Sequence, residues 1–367
     1  MVKNPFDEEY NRIVIKVLTE GEIRFDKRTG QTTLGLLGEK AHFIITEYFP
    51  LLTTKKIFFK GVVEELFWKL RGEKNSYELH KRGINIWDRN AFDLYLKRVK
   101  SNLKDKKNTE EWEKEFENYF KKMDNENFNP DDSDLGPIYG YQLRHWQKKE
   151  GGEIDQLKKL IDNIKKNPGG RYAFMNSLNI GELEKMAIAP CPFHHQFAVY
   201  GGYLDSVCAQ RSCDLYLGVP FNIAQEALLN ILISRETNLK PRKLSHHFFD
   251  LHVYIGNKPR SEFLTDKKNL KEFQKKIKKI NIYEKEKYYL LKEWYLNNAP
   301  KETKENERKD HIPFLLEQLA KEPKEPPKLF IKSSETIFEV IKKPYDQVIE
   351  LINYFPHEWD SKAKMAA

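Results

Sequence analysis

The sequence is poor in cysteine and has no long apolar segment. Its three cysteines, Cys191, Cys208 and Cys213, occur among 367 residues, and this small, odd number does not fit a disulfide framework. We therefore expect a reducing, cytoplasmic location. No apolar run is long enough to cross a membrane. The N-terminal stretch "MVKNPFDEEYNR" has no apolar segment after its charges, unlike a secretory signal. We expect no membrane partner.

The composition and the hydrophobic pattern predict a folded chain with both helices and strands. Hydrophobic residues make up 40% of the sequence and aromatic residues 13%, which excludes global disorder. No internal repeat and no regular βαβ alternation occur, so we expect the α+β class. Helices are predicted at 8–20, 58–72, 154–166 and 221–236, a hairpin around Gly201-Gly202, a strand pair around Gly38 within 32–45, a strand at 248–256 and a last strand at 328–332.

The stretch "APCPFHHQF", 189–197, places Cys191 close to two histidines. Taken alone, this stretch allows three roles for Cys191: a nucleophile, a metal ligand with His194 or His195, or a buried thiol. The last is the usual fate of a free cysteine. The metal interpretation is weak because zinc sites usually pair ligands at CxxC or HxxxH spacing and need a second pair. On a strand, His194 and His195 would face opposite sides. We expect no metal site.

Several long motifs decide between these interpretations. Together, "FPLLTTKK", "DLGPIYGYQLRHW", "APC", "QRSCDLYLGVPFNIA" and "DLHVY" resemble thymidylate synthase. The motifs "DKRTG" and "GVVEELFWKLRGEKN" match as well, and the resemblance covers roughly 8–255 and 311–367. It implies one catalytic domain, 1–367, with a layered α+β fold in which a mixed sheet is flanked by helices and packs at a dimer interface.

The resemblance implies a methyltransferase that converts dUMP to dTMP. The cosubstrate would be 5,10-methylenetetrahydrofolate, which donates a one-carbon unit and a hydride and leaves as dihydrofolate. C5 of uracil is a poor nucleophile, and a thiolate that adds at C6 makes C5 enolate-like. The covalent intermediate thus replaces one difficult reaction step by two easier ones. Cys191 matches the nucleophile. Arg211 matches an arginine near the thiol and the phosphate, and a guanidinium can lower the pKa of a thiol.

The remaining site residues are also implied by matching motifs. Asn222 would read the uracil edge, because an amide can donate to O4 and accept from N3–H; its alternative role is a helix N-cap. Arg171 would come from the other subunit of a homodimer with shared active sites. Glu65 and Tyr139 would move protons, whereas Glu64 is interpreted as a helix-surface residue. Other expected nucleotide ligands are Arg28, Gln210, Arg211, Ser212, His252 and Tyr254, and the folate ligands are Trp87 and Asp214.

Four positions depart from the family pattern. Pro192, Tyr172, Leu178 and Ala209 replace a histidine, an arginine, a tryptophan and a tyrosine, respectively. One guanidinium of the phosphate clamp is lost, but the nucleophile, the base reader and the acid/base group remain. A second interpretation is a nucleotide hydroxymethylase of the same family, in which water quenches the intermediate and tetrahydrofolate leaves.

The basic excess is concentrated in one segment. Residues 258–310 contain 16 Lys and Arg against 10 Asp and Glu, a net +6 of the chain's +8. We interpret this segment as a Lys-rich helical insertion, and 91–130 as a helical insertion that long family members share. Residues 321–327 are predicted to be an extended linker. The alternative for 258–310 is an RNA-binding or partner-binding module, since lysines near phosphate give affinity without reading sequence. Its interleaved aromatics are Tyr283, Tyr288, Tyr289, Trp294 and Tyr295.

Overall fold

The computed structural model describes residues 4–107, 109–358 and 363. A single mixed sheet forms the centre of the fold, with two small two-stranded sheets beside it. The strands are β1 (Glu22–Asp26), β2 (Gln31–Ile44), β3 (Trp146–Gln147), β4 (Glu153–Ile154), β5 (Phe174–Asn176), β6 (Pro192–Tyr200), β7 (Tyr203–Gln210), β8 (Cys213–Asp214), β9 (Lys240–Tyr254), β10 (Lys328–Ile331) and β11 (Ile349–Ile352).

Helices surround this sheet. The α-helices are α1 (Pro5–Glu20), α2 (Phe59–Arg71), α3 (Tyr77–His80), α4 (Asp88–Arg98), α5 (Glu110–Met123), α6 (Tyr139–Arg144), α7 (Gln156–Lys166), α8 (Gly218–Glu236), α9 (Glu262–Thr265), α10 (Lys267–Lys278), α11 (Lys285–Asn298), α12 (Lys304–Glu307), α13 (Ile312–Leu319), α14 (Ile337–Val340) and α15 (Tyr345–Val348). Short 3₁₀ turns occur at Pro130–Ser133 and Ile180–Lys185.

The main sheet has the strand order β1-β2-β9-β7-β6-β5, with β8 paired to β9. Its pairs are antiparallel except β7 with β9 and β8 with β9, which are parallel. Parallel neighbours need a crossover connection, and α8 supplies it between β8 and β9. The predicted α+β class with a mixed sheet flanked by helices is confirmed.

Helix α8 is the centre of the core because its sequence is apolar on nearly all sides. A helix without a polar face is buried all round, and α8 packs against β7, β9 and α2. The predicted hairpin at Gly201-Gly202 forms as β6 and β7. The stop after α2 forms as well, where Gly72 adopts the left-handed conformation at φ 83° and donates to Lys69 O.

Two strand predictions are wrong. The stretch around Gly38 is one continuous strand, β2, because the whole of it pairs with the long strand β9. Gly38 has φ 82° and no ladder partner, but the register between β2 and β9 is the same on both sides of it, so the glycine is a local irregularity within one strand rather than a turn. The strand β10 is not the last, since β11 follows it and completes a two-stranded sheet.

The two predicted insertions are helical but pack differently. Within 91–130, Phe92, Trp112 and Tyr119 belong to a small aromatic cluster that is separate from the main core. In 258–310, Phe273 and Tyr295 belong to the main core, because α10 packs on α1 and α11 packs on α13. The ends of the second segment meet in a bridge between Ile255 and Asp310.

Candidate active site

The β6–β7 hairpin brings Cys191 and Arg211 together. Pro192 pairs with Gln210 at the open end of the hairpin, so the residues one step further along each strand face each other. The Arg211 N–H donates to Cys191 O at 2.8 Å. Its side chain donates to Pro190 O at 3.0 Å and Ala189 O at 2.5 Å, which leaves Nη2 at 3.9 Å from Cys191 Sγ. The hairpin thus fixes a guanidinium beside the thiol.

Two opposing effects set the electrostatic state of Cys191. Burial raises the pKa of the thiol above its usual value, while Arg211 and the hydrogen bond with Tyr139 oppose that rise. Arg211 thus lowers the pKa of the thiol, as expected, but in the protein without nucleotide desolvation disfavours the thiolate more than one cation favours it.

Tyr139 contacts Cys191, the expected nucleophile, directly. It begins α6 with a positive φ of 29°, and its hydroxyl accepts a hydrogen bond from the Cys191 N–H at 2.7 Å. Burial, with the nearby charges of Cys191 and Glu65, raises the pKa of this phenol far above its usual value. Tyr139 is therefore a neutral hydroxyl beside Cys191 that also lies close enough to Glu65 to feel its charge.

Glu65 is enclosed by three partners. Its carboxylate accepts from Trp87 Nε1 at 2.7 Å and from Gln225 Nε2 at 2.5 Å, and Lys69 Nζ lies 3.3 Å away. The Lys69 ammonium also donates to Gln225 Oε1 at 2.9 Å and sits 4.6 Å from the centre of the Tyr139 ring. A buried carboxylate needs such partners, and their arrangement fixes both of its oxygens.

The sequence did not identify two of these partners. Lys69 lies four residues after Glu65 on α2, and this spacing is the signal that could have revealed it. Gln225 reaches the site only through packing of α8 on α2.

Glu64, expected on the surface, is instead buried. It pairs with Arg82 at 2.7 Å and accepts from the Tyr345 N–H.

Asn222, the residue expected to read the base, is hydrogen-bonded to the C-terminal end of β7. Gln210 Nε2 donates to Asn222 Oδ1 at 3.0 Å and to Ser212 O at 2.9 Å. Asn222 lies inside α8, which begins at Gly218, so its alternative role as the N-cap is wrong. The structure thus brings Gln210, Ser212 and Asn222 together beside Arg211.

The expected ribose and folate residues lie where β8 meets β9. Asp214 pairs with His252 in the ladder, and the rings of His252 and Tyr254 contact each other at 5.3 Å. Burial alone would raise the pKa of Asp214, but His311 and His252 together hold it below its usual value. Asp214 is thus a partly buried, ionised acceptor. Trp87, the other folate candidate, stacks on Trp68 at 6.2 Å.

Two expected phosphate ligands lie apart from the thiol. Arg28 is exposed on the turn between β1 and β2, where it pairs with Asp26 at 3.7 Å. Burial and the nearby groups Asp214 and Cys191 raise the pKa of Tyr254, and the charge of Arg28 opposes that rise. Arg171, just before β5, is also exposed. Within the described residues of this single chain, no contact joins Arg171 to Cys191.

The two histidines after Cys191 face different partners. His194 Nδ1 lies 2.7 Å from Asn176 Oδ1, whereas His195 Nδ1 lies 2.8 Å from Glu226 on α8. The expectation that they face opposite sides of a strand is confirmed. Neither joins Cys191 in a cluster of metal-ligating atoms among the described residues.

The structure shows where the four residues that depart from the family pattern lie. Pro192 starts β6 at a shift in register, a position that tolerates its missing N–H, and its carbonyl accepts from Ser177 Oγ. Ala209 is buried in β7 and pairs with His194. Leu178 is half-buried, and Tyr172 is 78% exposed next to Arg171.

Comparison with known proteins identifies the family. The family model described as Thymidylate synthase matches residues 8–367. The chain belongs to the thymidylate synthase family. A protein of Herpesvirus ateles named "Thymidylate synthase" is 37% identical over 259 residues, which cover 68% of this chain and 80% of the viral protein. The "Bifunctional dihydrofolate reductase-thymidylate synthase" of Paramecium tetraurelia is 36% identical over 259 residues, which cover 68% of this chain and 50% of that protein.

Membership confirms the resemblance drawn from the motifs and the assignment to the methyltransferases that make thymidylate. The family match does not favour the RNA-binding alternative; among its aromatics, Tyr288 and Tyr295 are buried in the core, whereas Tyr283 and Tyr289 are exposed. In the part of the chain that the structure describes, no helix is long and apolar enough to cross a membrane.

Proposed function

We propose that the protein catalyses the reductive methylation of dUMP to dTMP, with Cys191 as the nucleophile. The observation that carries this proposal is the Arg211 guanidinium, held by two backbone carbonyls 3.9 Å from the Cys191 thiol. The nucleotide phosphate would bind to the same guanidinium, because arginine suits bidentate contact with phosphate. Substrate binding and nucleophile activation thus share one residue.

The thiol adds to C6 of the uracil ring after it loses its proton. Tyr139 accepts from the Cys191 N–H and helps to lower the pKa of the thiol, so it would hold the nucleophile in place and favour the thiolate. The bond from sulfur to C6 gives C5 the electron density that it lacks. When the one-carbon unit has been attached, the C5 proton must leave, and the Tyr139 hydroxyl and the Glu65 carboxylate are the groups placed to accept and relay it.

The uracil edge would be read by Asn222. Gln210 donates to Asn222 Oδ1, which orients the amide, so its NH₂ group can donate to O4 of the base. Ser212 and Arg28 would complete the phosphate site. His252 and Tyr254 would bind the ribose hydroxyl.

The cosubstrate would be 5,10-methylenetetrahydrofolate, which supplies the one-carbon unit and the hydride. Trp87 offers a flat surface beside Glu65, and Asp214 is an ionised acceptor that suits the N–H groups of a pterin. These are the roles for which Trp87 and Asp214 were selected from the sequence. The chain itself would supply no redox group.

We also propose a cytoplasmic homodimer formed through the uncovered face of the sheet. In β6 and β7, the side chains facing α8 are buried, whereas the alternate side chains are only half-buried. Phe174 and Phe249 on that second face are 39% and 44% exposed. A second copy that covers this face would bring Arg171 to the partner's phosphate site.

A spectroscopic assay tests the proposed reaction. Mixed with dUMP and 5,10-methylenetetrahydrofolate, the protein should raise the dihydrofolate absorbance in step with dTMP. The hydroxymethylase of the same family would leave tetrahydrofolate and a hydroxymethylated base. That pair of products, or no turnover by a folded protein that binds dUMP, would contradict the proposal.

A further inference from the structure

A row of three side chains crosses the sheet beneath α8. His195 on β6 pairs with Cys208 on β7, and Cys208 pairs with His246 on β9. Directly opposed residues point to the same face of a sheet, and Glu226 of α8 lies over this face. Nitrogen, sulfur and oxygen atoms of His195, Cys208 and Glu226 lie within 4.8 Å of one another. All three side chains are buried.

His246 has a free ligand atom at the end of the row. Gln210 uses its amide nitrogen to donate to Asn222 and Ser212, so its oxygen faces His246 and accepts from Nε2 at 2.8 Å. That bond places the imidazole proton on Nε2 and leaves the lone pair on Nδ1. Among the described residues, no hydrogen-bond partner reaches this buried Nδ1. Such an outer hydrogen bond is typical of a histidine that binds a metal through its other nitrogen.

We propose that His195, Cys208 and Glu226 form a buried zinc site, which His246, outside the group of atoms within 4.8 Å, completes when its ring moves toward the ion. Thiolate, imidazole and carboxylate are the ligands that Zn²⁺ takes in tetrahedral sites. The charges balance, because one thiolate and one carboxylate neutralise the divalent ion, which suits a site without solvent. Binding replaces the Cys208 S–H bond by a bond from sulfur to zinc and releases one proton, so affinity falls as pH falls.

The site would be structural rather than catalytic. Its ligands come from β6, β7, β9 and α8, so the ion would join the three central strands to the central helix. It would also hold His246, and through His246 the Gln210 amide that orients Asn222. The zinc-free alternative is the present pair of His195 with Glu226 beside an inert thiol. The proposal does not depend on the nucleotide reaction.

Metal analysis of the full chain tests the site. Protein produced in zinc-supplemented medium should retain about one zinc per chain after dialysis against a weak chelator, as a closed structural site does. Protein produced with cobalt should show the intense visible bands of a tetrahedral ion and a thiolate-to-cobalt charge-transfer band. A folded wild-type chain without bound metal in both media would overturn the proposal.

Variants assign the ligands. Cys208→Ser should lose the charge-transfer band and retain metal at least about tenfold more weakly, whereas Cys213→Ser and Cys191→Ser should keep both properties. Cys213 is the matched control, because it is a buried thiol in the same sheet outside the cluster. If Cys208→Ser does not fold, retention of the band in both other variants still assigns it to Cys208. Loss of the band in Cys191→Ser alone would show an adventitious ion on the nucleophile and overturn the proposal.

Discussion

At the scale of single residues, the proposed chemistry depends on charges that are buried or partly buried beside the thiol. Arg211 opposes the cost of forming a thiolate at Cys191. Lys69 sits between the Glu65 carboxylate and the Tyr139 ring. The motifs identified Cys191, Arg211, Glu65 and Tyr139, but they could not give the net direction of the Cys191 pKa. That direction depends on how much solvent the folded chain removes from the sulfur.

The pKa of Cys191 predicts its reactivity with pH. Because burial raises the pKa, the rate of alkylation by iodoacetamide in the nucleotide-free protein should reach half its maximum above the ordinary thiol value of about 8.5. Arg211→Gln removes the opposing cation and should move this midpoint to still higher pH. Cys191→Ser supplies the background from the other two thiols. A midpoint below 8.5 in the wild type would contradict the account.

Lys69 is predicted to position Glu65. Lys69→Gln should lower kcat by about ten- to a hundredfold, because a small misplacement of a proton-transfer group is costly, while the affinity for dUMP stays near that of the wild type. The pH profile of kcat should change as well, which simple loss of packing would not cause. Lys74→Gln, at a half-exposed lysine near the same helix, is the control. An unchanged kcat and pH profile in Lys69→Gln would exclude this role.

At the scale of elements, periodicity predicted most of the helices and the β6–β7 hairpin. Periodicity did not predict the structure where contacts between distant segments decide it. Gly38 has the signature of a turn, yet the long strand β9 pairs in one register on both sides of it and keeps β2 continuous. The pattern of the basic segment 258–310 predicts a helical insertion but not what it covers, and α10 and α11 bury aromatic side chains against α1 and α13. Only tertiary contacts could show that this segment is part of the core.

A buried ion pair anchors the basic segment at its two ends. Arg260 Nε donates to Asp310 at 2.8 Å with both side chains almost fully buried, and Tyr295 donates to the same carboxylate at 3.0 Å. Arg260→Ala should lower the free energy of unfolding by about 3–5 kcal/mol, since it leaves a buried carboxylate unpaired. Denaturant titration measures this change. Lys258→Ala, at an exposed lysine, should have almost no effect, and equal stability of the two variants would contradict the packing described.

At the scale of the whole molecule, the sequence motifs predicted the family and the residues around the thiol. In the structure, these residues meet around the β6–β7 hairpin, the crossover helix α8 and the β8–β9 junction. Gln225 escaped prediction because its meeting with Glu65 depends on how α8 packs against α2. Lys69 escaped as well, although its spacing of four residues from Glu65 on α2 is a signal in the sequence. The row of His195, Cys208 and His246 escaped as well, since it arises only from the register of three strands.

The proposed homodimer makes a prediction about complementation. Arg171→Ala and Cys191→Ser should each be nearly inactive alone. After subunit exchange, each heterodimer would contain one site with both the intact thiol and the intact guanidinium. A statistical mixture should therefore recover about a quarter of the wild-type activity. A mixture of Cys191→Ser with Cys191→Ser, Arg171→Ala is the control. No recovery after proven exchange would refute the shared site.

The most direct test of the central claim is covalent trapping at Cys191. Incubated with 5-fluoro-dUMP and 5,10-methylenetetrahydrofolate, the wild-type chain should form a complex that survives denaturation, because fluorine at C5 cannot leave as a proton. Mass spectrometry of the digested complex should place the adduct on Cys191. Cys213→Ser should form the same complex, and Cys191→Ser should form none while still binding the nucleotide. An adduct on another residue, or a complex that persists in Cys191→Ser, would contradict the account.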